Sequence, residues 1–353
     1  MGKLSQLRRI LTEQKLDAII ITHPINRRYL TKFTGTAGVV IVSQEKQFFI
    51  TDFRYVEQAA EQAKDFTIIE HTKSIDLEIA TQLKELQAHR VGFEEHDITY
   101  AEYRRYEKLL DCELIPVSDA VEQLRVIKSA DELSIMKKAA QIADEAFNHI
   151  QSYIKPGVKE IDIANELEFF MRKQGATSSS FDIIVASGHR SALPHGVASE
   201  KEIQSGELVT MDYGALYNGY CSDITRTVAV GSINDELTTI YNTVLEAQIR
   251  GLEGIKPGMT GKEADALTRD YITDKGYGDY FGHSTGHGLG MEVHEEPRLA
   301  MKSETKLVEG MVVTVEPGIY IPGVGGCRIE DDIVITATGN ERLTFSTKKL
   351  IQL

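Results

Sequence analysis

"IKPGVKEIDIANELEFFMRKQG", residues 154–175, returns as "IKPGMTGKEADALTRDYITDKG", residues 255–276. Each copy reads as a Pro-Gly turn, a helix and a glycine stop. A second matched pair follows, "GELVTMDYG" at residues 206–214 and "GMVVTVEPG" at residues 310–318, each a β-rich run that ends in a carboxylate and a glycine. The offset grows only from 101 positions (Ile154 to Ile255) to 104 (Gly206 to Gly310), so one unit of helix and strands occurs twice. Neither copy is large enough to bury both of its faces alone. The spacing therefore predicts an α+β domain in which two copies pack about a pseudo-two-fold axis, where paired groups meet. Asp212 aligns with Glu316, and Asp223 and Glu330 follow on the next strand of each copy. His195 of "LPHG" falls near the counterpart of His294.

Upstream of the repeat the pattern changes. Helical stripes alternate with short apolar runs, "DAIIIT", "GVVIVS" and "RVGFEE", as in an α/β domain with a partly parallel sheet. At "VEQLRVIKSADEL", Ser129 and Glu132 form a capping-box pattern opening a helix whose stripe includes Leu133, Met136, Ala140 and Ala143. Two domains are expected, residues 1–124 and 125–353, with the boundary within about ten residues of Val121.

A chain of 353 residues with 42% hydrophobic and 26% charged residues has the composition of a soluble globular protein. A formal net charge of -14 disfavours nucleic acid and anionic membrane and suits the holding of cations. Cys112, Cys221 and Cys327, odd in number and unpatterned, indicate neither a disulfide framework nor a cysteine-based zinc site, and reduced thiols in a cytoplasm are expected. Leu4, Leu7, Ile10 and Leu11 form a helical stripe rather than a secretory signal, and no apolar run approaches a membrane span.

Within the repeat, "LVTMDYGALYNGYCSDITRTVAV" (residues 208–230) reads as a hairpin with Tyr217-Asn218 or Asn218-Gly219 at its tip. The first register places Asp212 directly opposite Asp223; the second makes them diagonal neighbours on one face. Val209, Met211 and Tyr213 alternate onto the other face, where they can pack. A lone Asp in a hairpin is ordinarily a solvated turn residue. Two on one face, matched by Glu316 and Glu330 inside apolar runs, are not, because isolated charge in a core is costly. Four carboxylates are too many for one proton to neutralise, and two divalent cations would balance them.

"GHSTGHGLGMEVHEEP", residues 282–297, supplies the histidine. Its His294-Glu295 is not the start of a zinc-protease H-E-x-x-H helix, because the second His would fall at Arg298 and Pro297 would break the helix. Gly286 and Gly288 let the backbone approach closely around His287, which suits it as a ligand. One imidazole among four carboxylates fits manganese, cobalt, iron or zinc better than copper. Two such ions can share a water, lower its pKa and polarise a carbonyl, so the chemistry expected is hydrolysis by a metal-bridging hydroxide. His294 and His195 would flank the substrate and stabilise a developing oxyanion or a leaving nitrogen. Arg298 could hold a substrate carboxylate bidentately. Arg328 is expected to support Glu330 or Glu316, and His283 to touch substrate or back the ligands. His189 reads as a loop histidine.

The set "MDYG…SDITRT…GHSTGHGLGMEVHEEP…VEPG…RIEDD" resembles the pita-bread metallopeptidases, specifically the bacterial Xaa-Pro dipeptidases (prolidases) and their relatives, aminopeptidase P. "RRYLTKFTGTAG" and "TDFRYVEQA" are similar to their creatinase-type N-terminal domain, so the likeness spans the chain. It implies that Asp212, Asp223, His287, Glu316 and Glu330 hold a dinuclear centre of manganese first, with cobalt or zinc as alternatives, bridged by Asp223 and Glu330. It further implies that His195 and His294 contact substrate or stabilise the tetrahedral intermediate, that His283 and Arg298 lie near the substrate's C-terminal side, and that the chain forms a homodimer acting on short proline-containing peptides. The alternatives are aminopeptidase P acting on longer peptides, a methionine aminopeptidase-like enzyme, and a non-catalytic pita-bread module, a kind of relative that has lost ligands retained here.

Overall fold

The computed structural model describes residues 2–353, and the chain divides into two compact units between Arg125 and Val126. In the first unit the three apolar runs become strands. The elements are α1 (Lys3–Glu13), β1 (Ala18–Ile21), α2 (Pro24–Thr31), β2 (Val39–Ser43), β3 (Gln47–Thr51), α3 (Val56–Gln62), β4 (Thr67–Glu70), α4 (Ile75–Glu85), β5 (Arg90–Glu94), α5 (Tyr100–Leu109), β6 (Glu113–Val117) and α6 (Glu122–Arg125). The sheet order is β4-β3-β2-β1-β5-β6. Pairings β1–β2 and β2–β3 are antiparallel, and β3–β4, β1–β5 and β5–β6 are parallel. Ile19, Ile20, Val40 and Ile41 are fully buried, as strands covered by helices on both faces must be.

The second unit opens with α7 (Ala130–Ile150), capped by Ser129 and Glu132 in reciprocal hydrogen bonds, followed by α8 (Glu160–Lys173). The second copy repeats this pair as α9 (Asp235–Gly254) and α10 (Gly261–Asp274), and α8 and α10 are both 14 residues long. Each pair is joined by the Lys-Pro-Gly turn, in which Gly157 and Gly258 take φ of 86° and 89°, a left-handed conformation that disfavours side chains. Met136, Ala140, Ala143 and Phe147 of α7 face the core.

The first copy's strands are β7 (Ser178–Ser179), β8 (Ile184–Ser187), β9 (Glu207–Tyr213), β10 (Ala215–Tyr217), β11 (Tyr220–Cys221) and β12 (Ile224–Val230). The second copy supplies β13 (Gly286–Gly288), β14 (Glu295–Leu299), β15 (Val312–Val315), β16 (Gly318–Ile321), β17 (Gly325–Arg328), β18 (Asp331–Ile335) and β19 (Asn340–Arg342). The main sheets run β12-β9-β8 and β14-β13-β15-β18-β19. Of the two hairpin registers, the structure adopts the one with Asn218-Gly219 at the tip, because Tyr217 pairs with Tyr220 and both tip residues take the positive φ of a primed turn. Val209, Met211 and Tyr213 enter the core beside α7 and α8, so the opposite face of β9 is left for polar groups. Among the described residues no helix is long and apolar enough to cross a membrane.

Candidate active site

Strand pairing sets the first two carboxylates. Asp212 on β9 lies opposite Thr225, so Asp223, two residues earlier on the second limb, is its diagonal neighbour. Asp223 is held from behind, since its backbone N–H donates to Asp332 Oδ2 at 2.9 Å. The Thr225 hydroxyl donates to Glu330 Oε2 at 2.6 Å, and the Glu330 N–H donates to the Thr225 carbonyl at 3.1 Å. First-copy and second-copy carboxylates are thereby locked to one another across the pseudo-symmetric junction.

His287 arrives on β13 between β14 and β15. A Cβ on Gly286 would meet the Thr314 carbonyl oxygen at 2.0 Å, and one on Gly288 the Glu296 carbonyl oxygen at 2.2 Å, so only glycines allow this approach. The His287 Nδ1–H donates to the Gly288 carbonyl at 3.0 Å. That leaves the Nε2 lone pair facing Glu316 Oε1 at 3.4 Å and Asp223 Oδ2 at 3.8 Å. Glu316, just past β15, is fixed by its N–H to the Thr285 carbonyl at 2.7 Å and by the Thr314 hydroxyl to Oε1 at 3.2 Å. One ligand atom each from Asp223, His287 and Glu330 lies within 4.8 Å of the others, and all three residues are buried.

The electrostatics follow from burial. Burial first, then the neighbouring carboxylates, raise Asp223 and Glu330 well above the ordinary carboxyl range. Burial pushes Glu316 up to about 8 and His287 down to about 3. In the absence of cations these groups therefore hold protons where carboxylates would normally be bare, and the imidazole is neutral. Asp212 Oδ1 and Asp223 Oδ1 are buried without a hydrogen-bond partner. Unpaired carboxylate oxygens beside a neutral imidazole lone pair are a donor set suited to hard or borderline divalent ions, and the residues fit a metal centre.

Around this centre lies a cavity of about 460 Å³ whose wall includes His195, His294, Arg298, His283 and Arg328. His195 and His294 are exposed side chains, and the His294 ring packs edge-on to His287 with centroids 4.4 Å apart. Partial desolvation at the cavity wall, and then the charge of Arg298, lower the His294 pKa and favour its neutral form. Arg298 pairs with His287 across β13–β14. Arg328, expected beside Glu330 or Glu316, donates instead to Asp212. The reason is local: Thr225 Oγ1 accepts from Arg328 Nε at 3.1 Å and so stands between Arg328 and Glu330. Arg328 also donates to the Tyr320 hydroxyl at 2.7 Å, which lies 2.8 Å from His283 Nε2, while His283 Nδ1–H donates to the Ser284 carbonyl at 2.8 Å. Burial, followed by the Arg328 charge, brings the His283 pKa down to about 4. His189 is exposed on a short 3-10 turn and does not line the cavity.

Several groups that hold the site were not singled out from sequence. Fully buried Arg226 donates to the Glu330 carbonyl and, at 2.6 Å, to Asp331. Asp331 also accepts from Lys348 at 2.6 Å and from Gln248 at 2.9 Å. The buried pair Lys128–Glu295, 3.0 Å apart, anchors the loop beside His294, because Glu295 Oε1 accepts the Met291 and Glu292 N–H groups. The available signal was charge inside apolar strands, at Arg226 in "ITRTVAV" and at the second and third acids of "EDD".

A hydrolytic metal centre on a duplicated α+β scaffold is what the fold and the site together define. The chain belongs to metallopeptidase family M24, whose model matches residues 134–337, and residues 3–127 match the creatinase/prolidase N-terminal domain. It is similar to the solved structure of an Xaa-Pro dipeptidase from Bacillus anthracis, at 62% identity and a TM-score of 0.99 over 99% of each chain. An Xaa-Pro dipeptidase of Pyrococcus furiosus is 44% identical over 99% of both sequences. The structure of an X-Pro aminopeptidase from Thermotoga maritima is 38% identical with a TM-score of 0.93, covering 99% of this chain and 100% of that one.

Proposed function

We propose that this chain hydrolyses the Xaa-Pro bond of dipeptides, with Asp212, Asp223, His287, Glu316 and Glu330 holding two divalent cations, manganese before cobalt or zinc. The observation that carries the reading is the buried convergence of Asp223, His287 and Glu330 on the wall of a cavity sized for a short peptide. Divalent cations at such a site supply Lewis acidity and a water acid enough to ionise near neutral pH.

The chain's own residues do the rest. Neutral His294 and the facing His195 donate hydrogen bonds to the substrate carbonyl as negative charge develops on it. Arg298 offers a planar fork to the peptide's terminal carboxylate, with His283 beside it. Arg328 orients Asp212 by donating to its Oδ2, and the Gly288 carbonyl fixes the His287 tautomer. An Xaa-Pro bond is a tertiary amide without N–H, so a peptidase that needs that donor cannot use it. A site that grips the carbonyl and the terminal carboxylate has no such requirement.

We read the protein further as a cytoplasmic homodimer, consistent with its free cysteines and with the resemblance to prolidases. The similarity to an X-Pro aminopeptidase sustains a second reading, release of one residue from longer peptides. The test is hydrolysis of Ala-Pro and of Ala-Pro-Ala by metal-stripped protein before and after addition of manganese or cobalt, with Asp223→Asn as control. Metal-restored cleavage of the dipeptide alone supports the dipeptidase; cleavage of the tripeptide favours the aminopeptidase. Failure to cut either with metal loaded overturns the Xaa-Pro reading.

A further inference from the structure

One wall of the catalytic cavity carries a carboxylate that belongs to none of the groups described above. Ser179 pairs with Ala215 and Ile184 pairs with Asp212, so the four residues Ser180–Ile183 span the space of only two, Tyr213 and Gly214, on the facing strand. The surplus chain bulges. Ile183 and Val185 turn into the hydrophobic core, whereas Phe181, Asp182 and Ile184 turn toward the cavity and line it. Asp182 is exposed and engages in no ion pair among the described residues. Exposed Val197, which bridges to Ile184, gives this wall a second apolar surface.

Distance decides which part of a substrate this carboxylate can meet. Asp182 precedes Ile184 by two residues, at most about 7 Å of chain, and Ile184 sits about 5 Å from Asp212 across the pair, which keeps the Asp182 backbone within roughly 12 Å of Asp212. It lies outside the cluster of potential ligand atoms. The α-ammonium of a bound peptide is two bonds, about 2.5 Å, from the scissile carbonyl carbon and stays with the central carboxylates. A lysine or arginine side chain extends about 6 Å or more from its Cα and reaches the bulge. Its methylenes would lie on Phe181, Ile184 and Val197, with the cationic head at Asp182.

We propose that Asp182 is a specificity-determining residue that selects peptides with lysine or arginine before the proline. The assignment rests on the Xaa-Pro reading above, and the experiment separates the two. kcat/KM is measured for Lys-Pro, Arg-Pro and Glu-Pro, with Ala-Pro as reference, on manganese-loaded wild type, Asp182→Asn and Asp182→Lys at low and high salt. The ratio of Lys-Pro to Glu-Pro within each protein cancels any general loss of activity. An exposed ion pair is worth up to about fivefold, so the ratio should exceed one in wild type, fall by up to about fivefold in Asp182→Asn, invert in Asp182→Lys and shrink with salt. A ratio unchanged in both variants, while wild type cuts Ala-Pro, overturns the role of Asp182 alone. Wild type that leaves Ala-Pro intact overturns the Xaa-Pro reading and this assignment with it.

Discussion

Raising the pH from 6.5 to 8 should destabilise the metal-stripped protein, and divalent metal should remove that loss. Burial lifts the Glu316 carboxyl from 4.5 to about 8 in the folded chain. A group raised in this way contributes stability that is complete below pH 4.5 and is lost as the pH climbs through 8, because the unfolded chain releases its proton first. Asp223 and Glu330 shift in the same direction. Histidines act oppositely. His287 and His283, lowered from 6.5 to about 3 and about 4, cost stability as the pH falls below 6.5. Between 4.5 and 6.5 the two effects oppose each other, and above 6.5 only the carboxyl contribution remains. At about 1.4 kcal/mol per proton per pH unit, Glu316 alone accounts for about 2 kcal/mol between pH 6.5 and 8. For a domain of this size that is roughly 4–8 °C in melting temperature. Calorimetric or circular-dichroism melts at pH 6.5 and 8, with and without excess manganese, read the effect directly. Glu316→Gln should remove one proton's worth of the slope. A melting temperature that stays flat or rises across this window in stripped protein would refute the reasoning.

Two further outcomes are expected from the frame around the centre. Gly286→Ala brings a Cβ to 2.0 Å from the Thr314 carbonyl, so β13 must move away from β15; His287 moves with it, and calorimetric titration should show manganese affinity lowered at least tenfold, roughly 1.4 kcal/mol. Glu295→Gln breaks the buried pair with Lys128, and denaturant unfolding should show a loss of about 3–5 kcal/mol, with part of it recovered by adding Lys128→Met.

Much of the site was legible because duplication left a mark in the sequence. Asp212 and Glu316 occupy equivalent strand ends, and their placement followed from the offset of the two copies together with the alternation of Val209, Met211 and Tyr213. Gly286 and Gly288 around His287 were legible for a similar local reason, since close backbone approach is the ordinary demand behind paired glycines. Arg328 was not. Nothing in "GGCRIEDD" states whether its guanidinium turns to Glu330 on its own strand connection or across to Asp212 on the other copy. The choice depends on Thr225, 103 positions away, occupying the space between.

By itself the sequence determined the two-copy architecture and the α/β character of the first unit and offered a candidate set of residues for the centre, because strand alternation, helix caps and a repeat are all local patterns. Only the tertiary structure decided the hairpin register, the partner of Arg328, the buried Arg226–Asp331–Lys348 group behind Glu330 and the bulge that turns Asp182 into the cavity. The physical reason is one of range. Hydrogen bonds and ion pairs between the copies join residues about a hundred positions apart, and their energies depend on burial and geometry that exist only once both copies have packed together.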